Sequence, residues 1–229
     1  MRLVVLSDTH SLHRKMTTPP EGDVLIHCGD FCGRSDPGQV EDFAMWMADQ
    51  PHAHKIVIAG NHDGLLEHGL RGRYVQFSVE SMEAMFSDRG LVYLKDSGIE
   101  IDGVKFWGSP WTPAFFDWSF MYERGPEATA QWEKIPDNTD VLITHGPPKG
   151  ILDECPPYPR PREGMPTHYV HVGCGALWRA LTRVQPKVHL FGHIHEGSGV
   201  TAKDGIQFVN ASICTGDYRP VNPARVVDL

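Results

Sequence analysis

Five times in this chain a short run of β-branched and aliphatic residues breaks off into a sharp polar turn. The segments are RLVVLSDTH (2–10), DVLIHCGD (23–30), HKIVIAGNHD (54–63), DVLITHGPP (140–148) and KVHLFGHIH (187–195). Runs this short and this continuously apolar suit strands buried on both faces, in sheets covered by helices or by a second sheet. Each ends in Asp, His or Asn beside Gly or Pro, where the backbone turns tightly. In α/β architectures, ligands gather at the carboxyl ends of strands. Residues far apart in sequence are therefore expected to converge: Asp8, His10, Asp30, Asn61, His62, His145, His193 and His195.

The intervening sequence fills in the layers. DPGQVEDFAMWMADQ (36–50) sets Val40, Phe43, Ala44 and Met47 at helical spacing, and GALWRALTRVQP (175–186) does the same with Leu177, Ala180, Leu181 and Val184. GIEIDGVKFWG (98–108) and VTAKDGIQFVNAS (200–212) each carry Asp-Gly between alternating residues, a hairpin signal. Parallel strands with helices, plus hairpins, predict an α/β fold of two packed sheets flanked by helices. With no internal repeat and no clean linker, residues 1–229 read as one domain, long enough to bury a real core. The Pro-rich ECPPYPRPREGMP (154–166) is the candidate lid or irregular loop, with a linker as the rival reading. The aromatic WGSPWTPAFFDW (107–118) is either a substrate wall or a core-capping loop.

Composition narrows the function classes. A formal net charge of -8 argues against a protein that coats nucleic acid through a basic surface. Five cysteines, an odd number with no secretory leader ahead of them, read as reduced thiols and a cytoplasmic setting. Cys28 and Cys32 lack Cys-x-x-Cys spacing and a matching second pair, so they read as structural. The first apolar run is too short for a signal peptide, and no segment is apolar over a membrane-spanning length.

The thirteen histidines are the unusual feature. A mixed Asp, His and Asn donor set without thiolate suits Mn, Fe, Zn, Co or Ni. A central carboxylate can bridge two ions, and a pair about 3.5–4 Å apart clamps the attacking and leaving oxygens of a phosphoryl transfer. Asp8 with His10, and His193 with His195, stand at i and i+2, so in extended backbone each pair projects to one side. A lone histidine is usually a satisfied core or surface group; the ordered set is the informative signal. His27, His168, His171 and His189 lie near these runs and read as structural. Asn210 is either a brace for the site or a turn residue.

In this order, SDTH, HCGD, GNHD, THGPP and GHIH resemble the motif series of the calcineurin-like metallophosphoesterases, over residues 7–195. SDTHSLH, GSPWTP, HEGSG and VNASICTGDYRPVNP are further similar to a small subgroup, the metallophosphoesterase-domain-containing phosphodiesterases. The resemblance implies a four-layered αββα sandwich of two mixed β-sheets flanked by helices. It implies two divalent ions, manganese foremost: Asp8, His10 and His195 on the first, Asn61, His145 and His193 on the second, Asp30 bridging. His62 matches a non-ligand histidine that contacts the scissile phosphate and assists the leaving group, with Asp63 orienting it. Some subgroup members carry glycine where this chain has His193; the histidine here implies that both ions bind. After Asp30, FCGR lacks the carboxylate that many superfamily members place three residues on.

The implied reaction is hydrolysis of a phosphodiester, such as a cyclic nucleotide or an aryl diester, by in-line attack of a hydroxide bridging the ions. Two divalent ions less Asp8, Asp30 and that hydroxide leave a charge of about +1, which complements a diester monoanion. A small phosphodiester is thus the expected partner, without strong nucleic-acid binding and without a membrane. A nuclease, a protein phosphatase or a phosphomonoesterase on the same site, and a non-catalytic scaffold such as the retromer subunit of this superfamily, are the alternatives.

Overall fold

The computed structural model describes residues 1–69, 77–157 and 168–229. In chain order they form β1 (Arg2–Leu6), β2 (Val24–Cys28), α1 (Pro37–Ala48), β3 (His54–Ile58), α2 (Leu65–His68), α3 (Val79–Ser87) and β4 (Val92–Tyr93). Next come β5 (Ser97–Ile101), β6 (Val104–Ser109), β7 (Thr112–Pro113), β8 (Met121–Tyr122), α4 (Pro126–Glu133) and β9 (Val141–Thr144). The last are β10 (Glu154–Cys155), β11 (Val170–His171), α5 (Gly175–Val184), β12 (Val188–Phe191), β13 (Gly199–Lys203), β14 (Ile206–Asn210) and β15 (Arg225–Asp228).

One large sheet runs β15-β1-β2-β3-β4, the other β13-β14-β12-β9-β6-β5. The four strands from β1 to β4 are parallel, as are β14, β12, β9 and β6; β15, β13 and β5 are antiparallel additions at the edges. Alternation along each strand separates two apolar surfaces. Leu3, Val5, Ile26, Ile56 and Ile58 pack with Phe106, Ile143, Leu190 and Val209 in a core shared by the two sheets. Their neighbours Val4, Leu6, Leu25 and Val57 pack with Phe43 and Met47 of α1 and with Met82 and Phe86 of α3. Beyond the second sheet, Leu142, Phe191 and Phe208 meet Trp132 of α4 and Leu177 and Leu181 of α5. This is the four-layered mixed α/β arrangement expected, and it explains why the strands are apolar on both faces.

Local chemistry fixes the elements. The Asp36 carboxylate accepts from Gly38 N at 2.9 Å, and Pro37 occupies the first turn of α1, where its missing N–H costs nothing. Gln185 adopts left-handed backbone (φ 50°) and ends α5 one residue before Pro186. Both Asp-Gly pairs make two-residue hairpin turns with positive φ at each position: 49° and 79° at Asp102 and Gly103, 51° and 83° at Asp204 and Gly205. Of the Pro-rich candidate lid, residues 158–166 lie outside the described residues.

Candidate metal centre

All seven expected ligands sit just beyond the carboxyl ends of parallel strands: Asp8 and His10 after β1, Asp30 after β2, Asn61 after β3, His145 after β9, His193 and His195 after β12. The loops that carry them are cross-tied. Asp8 N donates to Gly29 O at 2.9 Å, His10 N to Asp30 O at 3.0 Å, and Gly192 N to His145 O at 2.9 Å. Asp8, His10, Asp30 and His193 all hold positive φ, between 43° and 68°. Such backbone costs a non-glycine residue about 1–2 kcal/mol, so the surrounding structure holds these side chains in place against local preference.

The glycines between them are spacers of zero width. A Cβ on Gly60 would lie 2.4 Å from Asp30 Oδ1 and 2.6 Å from His145 Cε1; one on Gly192 would lie 2.0 Å from Ser7 Oγ and 2.1 Å from Asp8 Oδ2. Gly192→Ala is therefore expected to destabilise the fold by about 1–3 kcal/mol and to displace Asp8. Thermal melts with and without manganese check this: the variant should lose most of the metal-induced gain in Tm.

Two donor clusters emerge. In the first, His195 Nδ1 donates to Thr215 O at 2.9 Å, which leaves its Nε2 as a lone pair. That Nε2 lies 3.1 Å from His10 Nε2 and 3.4 Å from Asp8 Oδ1. Asp8 is held in turn by His193 N at 2.9 Å and by the Ser212 hydroxyl at 2.8 Å. In the second, His145 Nδ1 donates to Cys28 O at 2.9 Å, turning Nε2 toward Asn61 Oδ1 at 3.0 Å and Asp30 Oδ2 at 3.4 Å. Asp8, His10 and His195 form one group with metal-ligating spacing, and Asp30, His145 and His193 another. Asp30 also groups with His10 and His62, so its carboxylate faces both clusters. Acceptor atoms converge here with few protons between them, and neutral imidazole, carboxylate and amide oxygen fit a divalent cation in each cluster.

Ionisation points the same way. Burial pushes the Asp8 carboxyl up, but the hydrogen bond and charge of His195, with His145 and His10 nearby, hold it well below the usual carboxylate range. Burial likewise opposes ionisation of Asp30, and His145 and His62 outweigh it, so Asp30 is a carboxylate. Burial lowers His10 to about 4 and His193 to about 3, which keeps both neutral and ready to ligate. His145 is the opposite case: burial disfavours its charge, yet Asp30 and Asp8 raise it to about 9. Below that pH the metal-free site carries a proton where a cation would sit. Burial opposes the charge of His195 as well, yet the hydrogen bond and charge of Asp8 raise it, so metal binding at neutral pH is expected to release protons from both histidines, and affinity rises as pH climbs toward 9. Calorimetric titrations in buffers of different ionisation enthalpy measure the released protons directly.

His62 stands beside the clusters. Gly33 O accepts from its Nδ1 at 3.0 Å, and Nε2 lies 4.0 Å from Asp30 Oδ2. Its ring is edge-on to His10 (4.6 Å between centroids) and tilted against Trp118 (4.3 Å). The expectation that Asp63 orients His62 is corrected here. The Asp63 carboxylate accepts from the backbone N–H groups of Asp30, Cys32 and Gly60, each at 2.8 Å, and from Phe31 at 3.4 Å. Burial and the neighbouring Asp30 charge raise this carboxyl to about 8 against the pull of its amide donors, and its oxygens are taken up by backbone rather than by an imidazole. Asp63 fastens the Asp30 loop to the Asn61 loop, and the Gly33 carbonyl on that loop sets the ring.

A cavity of about 200 Å³ opens over the clusters, lined by His10, Asp30, Asn61, His62, His193 and His195 together with Phe115, Trp118, Glu196, Gly216 and Tyr218. The aromatic stretch thus divides. Trp111 packs on the core and edge-on to Phe120, whereas Phe115 and Trp118 wall the cavity. Sequence reasoning missed Ser212, Thr215 and Tyr218, although the tail segment that contains all three was singled out. It also left Glu196 without a role. Asn210 is a brace: its amide donates to Ile194 O at 2.8 Å and its oxygen accepts from Ser212 N at 3.1 Å.

The remaining histidines fall elsewhere. His27 and His189 are fully buried and pair with the hydroxyls of Thr9 and Thr144, at 3.0 and 2.8 Å. His171 pairs with Asp153 at 2.7 Å, and His168 is exposed. All five cysteines are free thiols, four of them buried.

Comparison with known proteins bears on the family and the fold. The profile of the calcineurin-like phosphoesterase family matches residues 1–197. Human metallophosphoesterase domain-containing protein 1 is 39% identical over the whole of this chain and 71% of its own length. A UPF0046 protein of Caenorhabditis elegans is 36% identical over the whole of this chain and 81% of its own. A solved crystal structure superposes with a TM-score of 0.64 at 13% identity, covering 91% of this chain and 89% of that one, a likeness of fold alone.

Proposed function

Since the chain belongs to the calcineurin-like phosphoesterase family and is thereby a metal-dependent phosphoesterase, we propose that it uses two divalent ions, manganese foremost, to hydrolyse small phosphodiesters such as cyclic nucleotides. The observation that carries this reading is the Asp30 carboxylate, which faces both donor clusters at once. Asp8, His10 and His195 would hold one ion, Asn61, His145 and His193 the other. When bound, the pair supplies an acidified water as nucleophile and polarises the phosphoryl oxygens.

The chain's own residues do the rest. Carbonyls of Thr215 and Cys28 fix His195 and His145 with Nε2 inward. His62, anchored through Nδ1 on Gly33 O, presents Nε2 to the cavity to hold a phosphoryl oxygen and to give a proton to the departing alkoxide. Phe115, Trp118 and Tyr218 narrow the opening, which favours small esters over polymers. An acidic chain, at net -8, also suits a small diester better than a nucleic-acid strand. No helix among the described residues is long and apolar enough to cross a membrane, and five free thiols suit a reducing compartment such as the cytoplasm.

The test is turnover of bis(4-nitrophenyl) phosphate, 4-nitrophenyl phosphate and a short oligonucleotide by the chain reconstituted with manganese. The diester is expected to turn over fastest, with loss of activity on chelation and recovery on adding metal back. Faster monoester or oligonucleotide cleavage would replace the substrate class, and inertness toward all three would favour a scaffold.

A further inference from the structure

Beside the metal-site cavity lies a second one of about 210 Å³. The two share walls: His193 and Phe115 line both. Otherwise the second is largely apolar, formed by Pro113, Ala114, Pro147, Val172 and Ile194. Its volume exceeds the roughly 150 Å³ of a protein cavity that accepts a benzene ring.

Two polar groups interrupt that lining. Arg124 reaches across and donates to the carbonyls of Gly173 and Val172, which fixes its guanidinium with further N–H groups unspent. The second is the Cys155 thiol, which is free and partly buried. An apolar pocket with one or two convergent polar groups is the usual form of a small-molecule site.

We propose that this cavity seats one organic substituent of the phosphoester: a compact apolar group about the size of one ring. The inference rests on the phosphoester reading above, since phosphorus at the metal centre puts its substituents against His193. It adds a specificity site built largely from Pro113, Ala114 and Phe115. An aryl ring, a saturated ring and a nucleobase share the required size, and the experiment separates them.

The probes are methylphosphonate, cyclohexylphosphonate, phenylphosphonate and adenosine 5′-monophosphate, titrated into the chain loaded with diamagnetic zinc. Binding is followed by calorimetry and by the methyl resonances of Ala114, Val172 and Ile194. Phenylphosphonate is expected to bind at least tenfold tighter than methylphosphonate and to shift those three methyl signals, which methylphosphonate leaves in place. The cyclohexyl and nucleotide arms show whether flatness or a base is preferred. Ala114→Trp, which fills the cavity, should abolish the phenyl advantage, and Trp118→Ala should retain it. Equal affinity for the methyl and phenyl probes overturns the proposal, as does a phenyl preference that survives Ala114→Trp and disappears in Trp118→Ala. If Ala114→Trp does not fold, the methyl shifts in the unaltered chain decide. Failure of every probe, methylphosphonate included, would instead count against the metal-centred reading itself.

Discussion

Asp30→Asn is expected to lower kcat/KM by about 1,000-fold or more, equivalent to about 4 kcal/mol of transition-state stabilisation. The amide is nearly isosteric and keeps an oxygen for the His62 N–H, which Asp30 Oδ1 now accepts at 2.8 Å. What disappears is the negative charge set between the clusters, on which both cations depend for neutralisation and which raises His145 to about 9. Metal analysis after gel filtration should find less than the full complement, and circular dichroism should find the fold intact. Two retained ions with activity within tenfold of the unaltered chain would remove Asp30 from the centre of the mechanism.

His62→Ala should act differently. Loss of a positioned proton donor costs about 10²–10⁴ in rate, and here it should leave metal content unchanged, because the ligands on either side are anchored independently by Thr215 and Cys28. The loss should also depend on the leaving group. An alkoxide needs a proton and should suffer most; 4-nitrophenolate departs without one and should suffer least. A uniform loss across leaving groups would assign His62 to phosphate binding alone.

Much of this site was legible in the sequence because a parallel strand buried on both faces announces itself, and the residue after it has few places to go. Asp8, Asp30, Asn61, His145 and His193 follow such strands, and the order of the runs sufficed to bring them together. The Asp-Gly hairpins were legible for a similar reason, since a two-residue turn needs left-handed backbone. The role of Asp63 came from the family resemblance, and its contacts were not legible in the sequence. The direction of its side chain is set by four amides on two loops, which no local pattern encodes. Trp118 and Tyr218 reach the cavity from loops whose paths depend on the sheets beneath them. The short α2, α3 and α4 carried too few apolar positions to stand out. For Thr215 the contribution is a backbone carbonyl, which side-chain identity does not reveal.

The positive φ of 68° at His193 has an evolutionary consequence. The main chain there favours glycine, the one residue without the Cβ penalty, so conformational preference and metal ligation pull the position in opposite directions. Drift toward glycine meets little resistance from the scaffold, and under the two-ion proposal it is the loss of a ligand that opposes the exchange. Position 193 is thus a point at which lineages can exchange catalytic capacity for foldability in one substitution.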